Sequence, residues 1–203
     1  MNALIHVVDD DESLRESLLD LLRAAGYDAV GYASTGDFLL HPLPDRPGCL
    51  LLDVRMPGPS GLELQAALRE RGLAPPIVFL TGYADVPTTV RAVKGGATDV
   101  LEKPVTRERL LEAIVAALAA DDEARAANRM HARRDARLAS LTAREREVFE
   151  RVVAGERNQA IADKLGISLR TVKAHRAQLM EKLGVATAAE LGRLAGEPGD
   201  RPG

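Results

Sequence analysis

Apolar and polar residues alternate along the first 120 residues in a pattern that predicts strands and helices in turn. Short apolar runs at residues 4–8, 50–52 and 76–80 are bounded by polar or turn-forming residues, as expected for strands buried on both faces. Leucines recur at helical spacing in residues 13–25 and 61–71, which lie between these runs. Such alternation favours a parallel sheet with helices on both faces.

The remaining elements of this half complete five strand–helix repeats. They are predicted at residues 27–33, 34–40, 86–94, 99–101 and 106–120. The apolar residues of the last helix that we expect to face the core are Leu110, Leu111, Ile114, Val115 and Leu118. Residues 121–139 are rich in arginine and alanine, which predicts a solvated helical linker that can continue this helix. Arginines that bind phosphate are the alternative interpretation.

The residues after 140 show helical periodicity only. Thr142 and Glu145 have the spacing of a capping box, which predicts the start of the first helix of this half. Residues 158–165 and 168–183 predict two helices joined by a short turn that contains glycine, and such a pair is the helix-turn-helix signature. A fourth helix is predicted at residues 187–194.

Charge divides the chain into an acidic and a basic part. Residues 1–120 contain 11 lysines and arginines against 17 aspartates and glutamates, whereas residues 124–195 contain 15 against 8. This asymmetry indicates two domains, of which the basic one is a candidate for binding nucleic acid. No apolar run approaches the roughly 18 residues of a membrane helix, and Cys49 is the single cysteine. Residues 1–8 lack the pattern of a secretion signal, so we expect a cytoplasmic protein without a membrane partner.

Five polar residues stand where the predicted strands leave the sheet. Asp9 and Asp10 end the first strand, and Asp53 ends the third. Thr81 ends the fourth strand, and Lys103 follows the fifth. Because the carboxyl ends of parallel strands share the edge at which ligands bind, we expect all five side chains to gather there. The alternative interpretation is that they are ordinary strand-end polar residues.

Three carboxylates at one edge repel one another unless a cation compensates. Mg²⁺ is a suitable cation, because it binds one or two carboxylates together with waters and phosphate oxygens. An aspartate beside Mg²⁺, such as Asp53, can attack a phosphoryl group. The Thr81 hydroxyl and the Lys103 ammonium would then bind the oxygens of the aspartyl phosphate.

The predicted helix at residues 168–183 has two different faces. Its apolar stripe consists of Val172, Leu179 and Leu183. The opposite side, with Lys173 on its flank, consists of Arg170, Ala174, Ala177 and Glu181. Small residues flanked by cations suit a major groove, although an ordinary solvated helix face is the alternative. At the border of the stripe, His175 is a packing or DNA-contacting residue, and Arg176 a partner for a phosphate or a carboxylate.

The strand-end residues belong to four segments that resemble the receiver domain of bacterial two-component response regulators. The segments are Val8-Asp9-Asp10, Asp53-Val54-Arg55-Met56-Pro57, Thr81-Gly82 and Lys103-Pro104. The resemblance covers residues 1 to about 118 and implies an α/β fold, flavodoxin-like (βα)5, with parallel sheet order 2-1-3-4-5. It implies Asp53 as phosphoacceptor, a cis Lys103–Pro104 bond, and Thr81 and Lys103 as switch residues. The implied Mg²⁺ ligands are Asp10, Asp53, the Arg55 backbone carbonyl and, through water, Asp9.

One position departs from the receiver pattern. Many receivers carry an aromatic residue three positions before the lysine, and this chain has Val100 there. We therefore expect movement of Thr81 to carry more of the signal. Candidates for a dimer face on this side of the domain are Val90, Lys94, Val100 and Leu111.

The second half is similar to the LuxR-type helix-turn-helix domain, a small all-α unit of four helices. The segments that carry this similarity are residues 141–148, 158–162, 168–176 and 182–185. A receiver followed by this domain resembles the FixJ/NarL family, and the segments closest to FixJ are residues 54–57, 81–87 and 175–177. The candidate DNA contacts are Arg170, Thr171, Lys173, Ala174, His175, Arg176 and Ala177.

The two resemblances imply a DNA-binding response regulator. Phosphorylation of Asp53 by a sensor histidine kinase would promote homodimerisation and promoter binding, with RNA polymerase as a further partner if the protein is an activator. The receiver would catalyse only its own phosphoryl uptake and loss. One alternative is a phosphorylation-independent regulator that uses the receiver as a dimerisation scaffold, and another is a phosphatase with an aspartate nucleophile. The predicted domains are a receiver (1–120), a linker (121–139), the helix-turn-helix domain (140–195) and a disordered tail (196–203).

Overall fold

The computed structural model describes residues 3–82 and 85–196, which form two compact units divided between Arg125 and Ala126. The strands of the first unit are β1 (Leu4–Val8), β2 (Asp28–Tyr32), β3 (Gly48–Asp53), β4 (Ile77–Thr81) and β5 (Asp99–Glu102). Its helices are α1 (Glu12–Ala24), α2 (Thr35–Leu39), α3 (Gly61–Glu70), α4 (Val86–Lys94) and the first part of α5 (Arg107–Ala139). The helices after α5 are α6 (Ala143–Val153), α7 (Asn158–Leu165), α8 (Leu169–Leu183) and α9 (Ala188–Gly196).

The strands form one parallel sheet in the order β2-β1-β3-β4-β5, which confirms the predicted fold class. The three central strands are buried almost throughout, because each has a strand on both sides and helices on both faces. The register pairs Val8 with Leu52 and Asp53 with Leu80. The carboxyl ends of β1, β3 and β4 therefore lie side by side.

Two apolar cores hold the helices against the faces of the sheet. On one face, Leu18 and Leu22 of α1 pack with Leu110 and Ile114 of α5. On the other face, Phe38 of α2 joins residues of α3 and α4. Alternate residues of each central strand enter opposite cores, as the period of two in a strand requires. The packing of helices on both faces of the sheet fixes the strand ends that carry the polar residues.

Helix α5 covers both the helix predicted at residues 106–120 and the segment for which a helical linker was predicted. It continues to Ala139, so the residues assigned to the linker are helical. The expectation that Val115 faces the core is wrong, because its side chain is 57% exposed. Ile114 and Ala117 hold the buried stripe, and Val115 is turned about 100° away from Ile114 around the helix.

Polar contacts fix α5 to the first residue of β3 and to the loop before that strand within the first unit. The Asp121 carboxylate accepts a hydrogen bond from the Gly48 N–H at 3.1 Å. Arg125 pairs with Asp121 at 3.0 Å and with Asp45 at 2.6 Å. These contacts extend the attachment of α5 beyond its apolar stripe.

The helices of the second unit surround a core of their own. Its fully buried residues include Val148, Ile161, Val172, Leu179, Leu183 and Leu191. Thr142 and Glu145 form the predicted capping box at the start of α6. Gly166 and Gly184 have positive φ and end α7 and α8, where a side chain would be strained.

Two of the predictions concern segments that lie partly outside the described residues. Gly196, the first residue of the predicted tail, ends α9, and residues 197–203 lie outside the described part. Tyr83 and Ala84, within the FixJ-like segment 81–87, also lie outside it. Across residues 3–82 and 85–196, no helix has both the length and the apolar character needed to cross a membrane.

Candidate functional site

The carboxylates of Asp9, Asp10 and Asp53 come together at the carboxyl edge of the sheet. Each contributes an oxygen atom, and these atoms all lie within 4.8 Å of one another. Asp9 follows β1 directly and Asp53 is the last residue of β3, and the two strands are hydrogen-bonded neighbours. Asp9 and Asp53 are 1% and 7% exposed, whereas Asp10 faces solvent.

Lys103 places a positive charge between two of these carboxylates. Its Nζ atom lies 2.8 Å from Asp9 Oδ2 and 2.8 Å from Asp53 Oδ2. The Lys103 N–H donates to the Thr81 carbonyl at 2.7 Å, and the bond to Pro104 is cis, as the resemblance implied. Burial disfavours the charged ammonium, but the hydrogen bonds to Asp53 and Asp9 outweigh burial and raise the pKa of Lys103.

Asp9 is the most enclosed carboxylate of the group. Burial raises the pKa of Asp9, although hydrogen bonds from Lys103 and from the Asp11 N–H favour its charged form. Arg15 of α1 donates through Nη1 to the Asp9 carbonyl oxygen at 2.8 Å. A lysine and an arginine therefore hold this strand end.

Asp53 is oriented by the loop that follows it. Its Oδ1 atom accepts a hydrogen bond from the Arg55 N–H at 3.0 Å. The loop closes where the Gly61 N–H donates to the Val54 carbonyl at 3.1 Å. A Cβ atom on Gly61 would lie 2.2 Å from the Asp53 carbonyl oxygen, so the close approach requires glycine. Thr81 ends the neighbouring strand β4 and is fully buried.

The donor set of this edge fits Mg²⁺. It consists of carboxylate oxygens, which are the hard ligands that this ion prefers. Because the Asp10 side chain faces solvent, an ion held there would keep several waters. Lys103 compensates part of the charge of the buried Asp9–Asp53 pair.

The outward side of α8 exposes most of the residues that the sequence assigned to DNA contact. The exposed residues among them are Arg170, Lys173, Ala174 and Ala177. Thr171 is half-buried, and its hydroxyl lies 2.8 Å from that of the helix cap Ser168. Ser168 accepts a hydrogen bond from the Thr171 N–H, so Thr171 also stabilises the start of the helix.

His175 and Arg176 are half-buried on the sides of α8. Arg176 Nη1 donates to Asn158 Oδ1 at 2.5 Å, which ties α8 to the first residue of α7. The Nδ1 atom of His175 is buried and has no hydrogen-bond partner in the described part of the chain. This side of the imidazole is therefore packed, and only the rest of the half-buried ring is available to DNA.

The residues predicted for a dimer face lie on α4, β5 and α5. These three elements follow the carboxylates Asp9, Asp10 and Asp53 in the sequence. Val90 is 43% exposed and Lys94 faces solvent, whereas Val100 and Leu111 are half-buried. Val100 packs against the core that contains Phe79. Val86 and Val93 are also exposed and extend Val90 into an apolar stripe along α4.

Both halves of the chain match known protein families. The model of the response regulator receiver domain matches residues 5–115, and the model of bacterial regulatory proteins of the luxR family matches residues 139–195. The chain belongs to the FixJ/NarL family of response regulators. This regulator thus combines a receiver with a LuxR-type DNA-binding domain, as transcriptional regulators of two-component systems do.

Relatives of this regulator match nearly its whole length. It is 41% identical to Nodulation protein W of Bradyrhizobium diazoefficiens, covering 95% of this chain and 85% of that protein. It is 42% identical to the transcriptional regulatory protein FixJ of Azorhizobium caulinodans, covering 94% and 90%. The structure of the response regulator StyR superposes with a TM-score of 0.85 at 42% identity, covering 96% of this chain and 98% of that one.

Sequence reasoning did not single out Arg15 or Gly61. Arg15 lies within an ordinary amphipathic helix, and its position one turn after the cap of α1 is the signal that it can reach the end of β1. Gly61 follows a Pro-Gly-Pro-Ser turn, and its role depends on the approach of two backbone segments. Such a distance is visible only in the folded chain.

Proposed function

We propose that Asp53 receives a phosphoryl group from a sensor histidine kinase and that this modification controls promoter binding. The observation that carries the proposal is the contact of the Lys103 ammonium with both Asp53 and Asp9 at 2.8 Å. In the transfer, a carboxylate oxygen of Asp53 forms a bond to phosphorus while the bond to the histidine nitrogen of the kinase breaks. The imidazole then leaves with the electron pair of that bond.

Asp10, Asp53 and the Arg55 carbonyl are the residues that we propose to hold Mg²⁺, with Asp9 acting through water. When bound, the ion supplies positive charge for the phosphoryl oxygens. Lys103 pairs with a phosphoryl oxygen in place of a carboxylate, since charge-assisted hydrogen bonds of this kind are strong. The Thr81 hydroxyl turns toward another phosphoryl oxygen and transmits the change, because Val100 offers no aromatic side chain for this purpose.

The modified receiver is proposed to dimerise through α4, β5 and α5. The exposed stripe of Val86, Val90 and Val93 on α4 supports this surface, because contiguous exposed apolar residues mark interaction sites. Of the other candidates, Lys94 lies on α4 and Leu111 lies on α5. Two copies of α8 would then read two half-sites of a promoter. An activator of this kind would also contact RNA polymerase.

We propose that the receiver comprises residues 1–120 and that the DNA-binding domain comprises residues 140–195. The amino acids of α8 that we propose to contact DNA are Arg170, Thr171, Lys173, Ala174, His175, Arg176 and Ala177. Exposed Arg170 and Lys173 are suited to guanine edges or phosphates. Half-buried Arg176 can serve a phosphate only with the part of its guanidinium that Asn158 leaves available.

The Asp53→Asn variant tests the proposal. Wild-type protein treated with acetyl phosphate and Mg²⁺ should gain one phosphoryl group, dimerise and bind genomic promoter fragments more tightly. Mass spectrometry, light scattering and electrophoretic shift measure the three events. The variant should show none of them, and Asp45→Asn, which changes an aspartate of the loop before β3, should behave as the wild type. DNA binding that is equal with and without the phosphoryl donor would contradict the proposal.

A further inference from the structure

Gln178 lies on the exposed side of α8, and its amide group is unused among the residues that the structure describes. The chain contains three glutamines. Gln65 donates to the Ala92 carbonyl at 3.2 Å, and Gln159 donates to the Asp163 carboxylate at 3.0 Å. Within the described residues, the Gln178 amide has no such partner. It therefore keeps its two donors and its acceptor for a molecule outside the chain.

The surroundings of Gln178 favour a base edge over a phosphate. Ala174 lies one helical turn earlier and Ala177 is adjacent, and both are exposed. Their methyl groups allow the helix backbone to approach a groove floor closely, so the longer Gln178 side chain reaches beyond them. Glu181, three residues later, is an exposed anion and repels a phosphate at this position.

We infer that Gln178 recognises an adenine in the major groove. A glutamine amide matches adenine in two places, because its oxygen accepts from the N6 amino group and its nitrogen donates to N7. Arg170 and Lys173 lie closer to the start of α8 and suit guanine or phosphate instead. The inference rests on the proposed role of α8 as the helix that enters the groove, and it adds one base of sequence preference to that role.

Selection of binding sites from random-sequence DNA provides the first test. Full-length wild-type protein, Gln178→Ala and Gln159→Ala are each treated with acetyl phosphate and Mg²⁺ and used to select duplexes. The wild type and Gln159→Ala should select the same consensus. Gln178→Ala should select that consensus without its preference for adenine at one position of each half-site. An unchanged consensus for Gln178→Ala overturns the inference, as does a uniform loss of affinity for all sequences, which indicates a phosphate contact.

Replacing that adenine by 7-deazaadenine in the selected duplex provides a second test that needs no protein variant. The replacement removes the N7 acceptor and leaves base pairing intact. Wild-type affinity should fall about tenfold, and the affinity of Gln178→Ala should not fall further. Equal losses for both proteins overturn the inference and leave the proposed function standing. Failure of both wild type and Gln159→Ala to select any consensus overturns the proposed function together with the inference.

Discussion

Asp53 is fixed from three directions, by Arg55 and Gly61, which follow it closely in the chain, and by the distant Lys103. The Lys103 ammonium holds one carboxylate oxygen, and the Arg55 N–H holds the other. Gly61 approaches the Asp53 carbonyl so closely that a side chain has no room. At the residue scale, the position of this carboxylate therefore depends on backbone geometry as much as on charge.

Gly61→Ala should disturb this geometry, because the new Cβ would overlap the Asp53 carbonyl oxygen. We expect the free energy of unfolding of the receiver to fall by about 1–3 kcal/mol. We also expect slower phosphoryl uptake from acetyl phosphate, since Asp53 would move away from Lys103. Urea unfolding and mass spectrometry measure the two effects. Gly36→Ala is the control, because the atom nearest to its Cβ would lie 3.8 Å away, and equal stability of the two variants would contradict the prediction.

His6 should make the first unit sensitive to acid. Burial, helped by the charge of Arg46, lowers the pKa of His6 to about 4. The unfolded chain takes up this proton near pH 6.5, so the folded state loses stability as the pH falls from about 6.5 to 4. The total loss is about 3 kcal/mol. Above about pH 6.5, His6 is neutral in both the folded and the unfolded chain, so it adds no pH dependence to the free energy of unfolding there.

Comparing wild type with His6→Gln isolates this contribution. Chemical unfolding at pH 7, 5.5 and 4.5 should show a smaller acid-induced loss in the variant, because glutamine does not titrate. His41→Gln replaces an exposed histidine and controls for the substitution itself. Identical pH dependence of wild type and His6→Gln would rule out this role of His6.

The strand-end residues were predictable because parallel strands end at a common edge. Asp9, Asp53 and Lys103 could be placed together without any distance, since turn residues mark where their strands leave the sheet. The interactions of Arg15 and Gly61 could not, because both depend on how a helix packs on a strand end. The partner of Arg176 was missed for the same reason, as Asn158 belongs to another helix.

Among the elements, α5 and α6 show how far local sequence determines a helix. The sequence predicted a core-facing helix to about residue 120 and a helical linker that can continue it. Helix α5 does continue to Ala139, because alanine and arginine favour the helix beyond the point where the apolar periodicity stops. Helix α6 begins where predicted, because Thr142 and Glu145 satisfy each other's backbone groups. Glu145 also pairs with Lys182 of α8 at 2.7 Å, a contact that no local pattern reveals.

Glu145→Gln should lower the thermal stability of the second unit at pH 7. Hydrogen bonds from Lys182 and from the Thr142 N–H lower the pKa of Glu145 to about 2. Its stabilising effect is therefore complete above about pH 4.5 and is lost as the pH falls toward 2. The difference in unfolding temperature between wild type and variant should shrink over that range. Glu150→Gln, an exposed change on the same helix, should match wild type, and a pH-independent difference would contradict this assignment.

The whole molecule separates an acidic sheet domain from a basic helical one, as the charge count indicated. The fold class of each part followed from periodicity, whereas the surface that we propose for a dimer does not follow from any motif. The exposed valines of α4 provide the physical argument for the proposed dimer, because exposure is a property of the folded chain.

Val90→Asp should prevent dimerisation without preventing phosphoryl uptake. A charge in the apolar stripe would have to be desolvated in the dimer, which weakens association by about tenfold or more. Light scattering after acetyl phosphate treatment measures the dimer, and mass spectrometry measures uptake. Leu40→Asp places the same charge at another exposed apolar residue, on the end of α2. If both variants dimerise like the wild type, α4 is not the interface.

The ammonium of Lys103 acts as an internal counter-ion for the carboxylates of the receiver. It already satisfies Asp9 and Asp53, so a chelator should leave the receiver folded, in contrast to small domains whose folding depends on a structural metal. The Mg²⁺ that we propose for this site would have to compete with the Lys103 ammonium for the two carboxylates, which would keep the affinity for the ion modest. Such reversible binding would suit a site that is loaded and emptied many times within the life of one molecule.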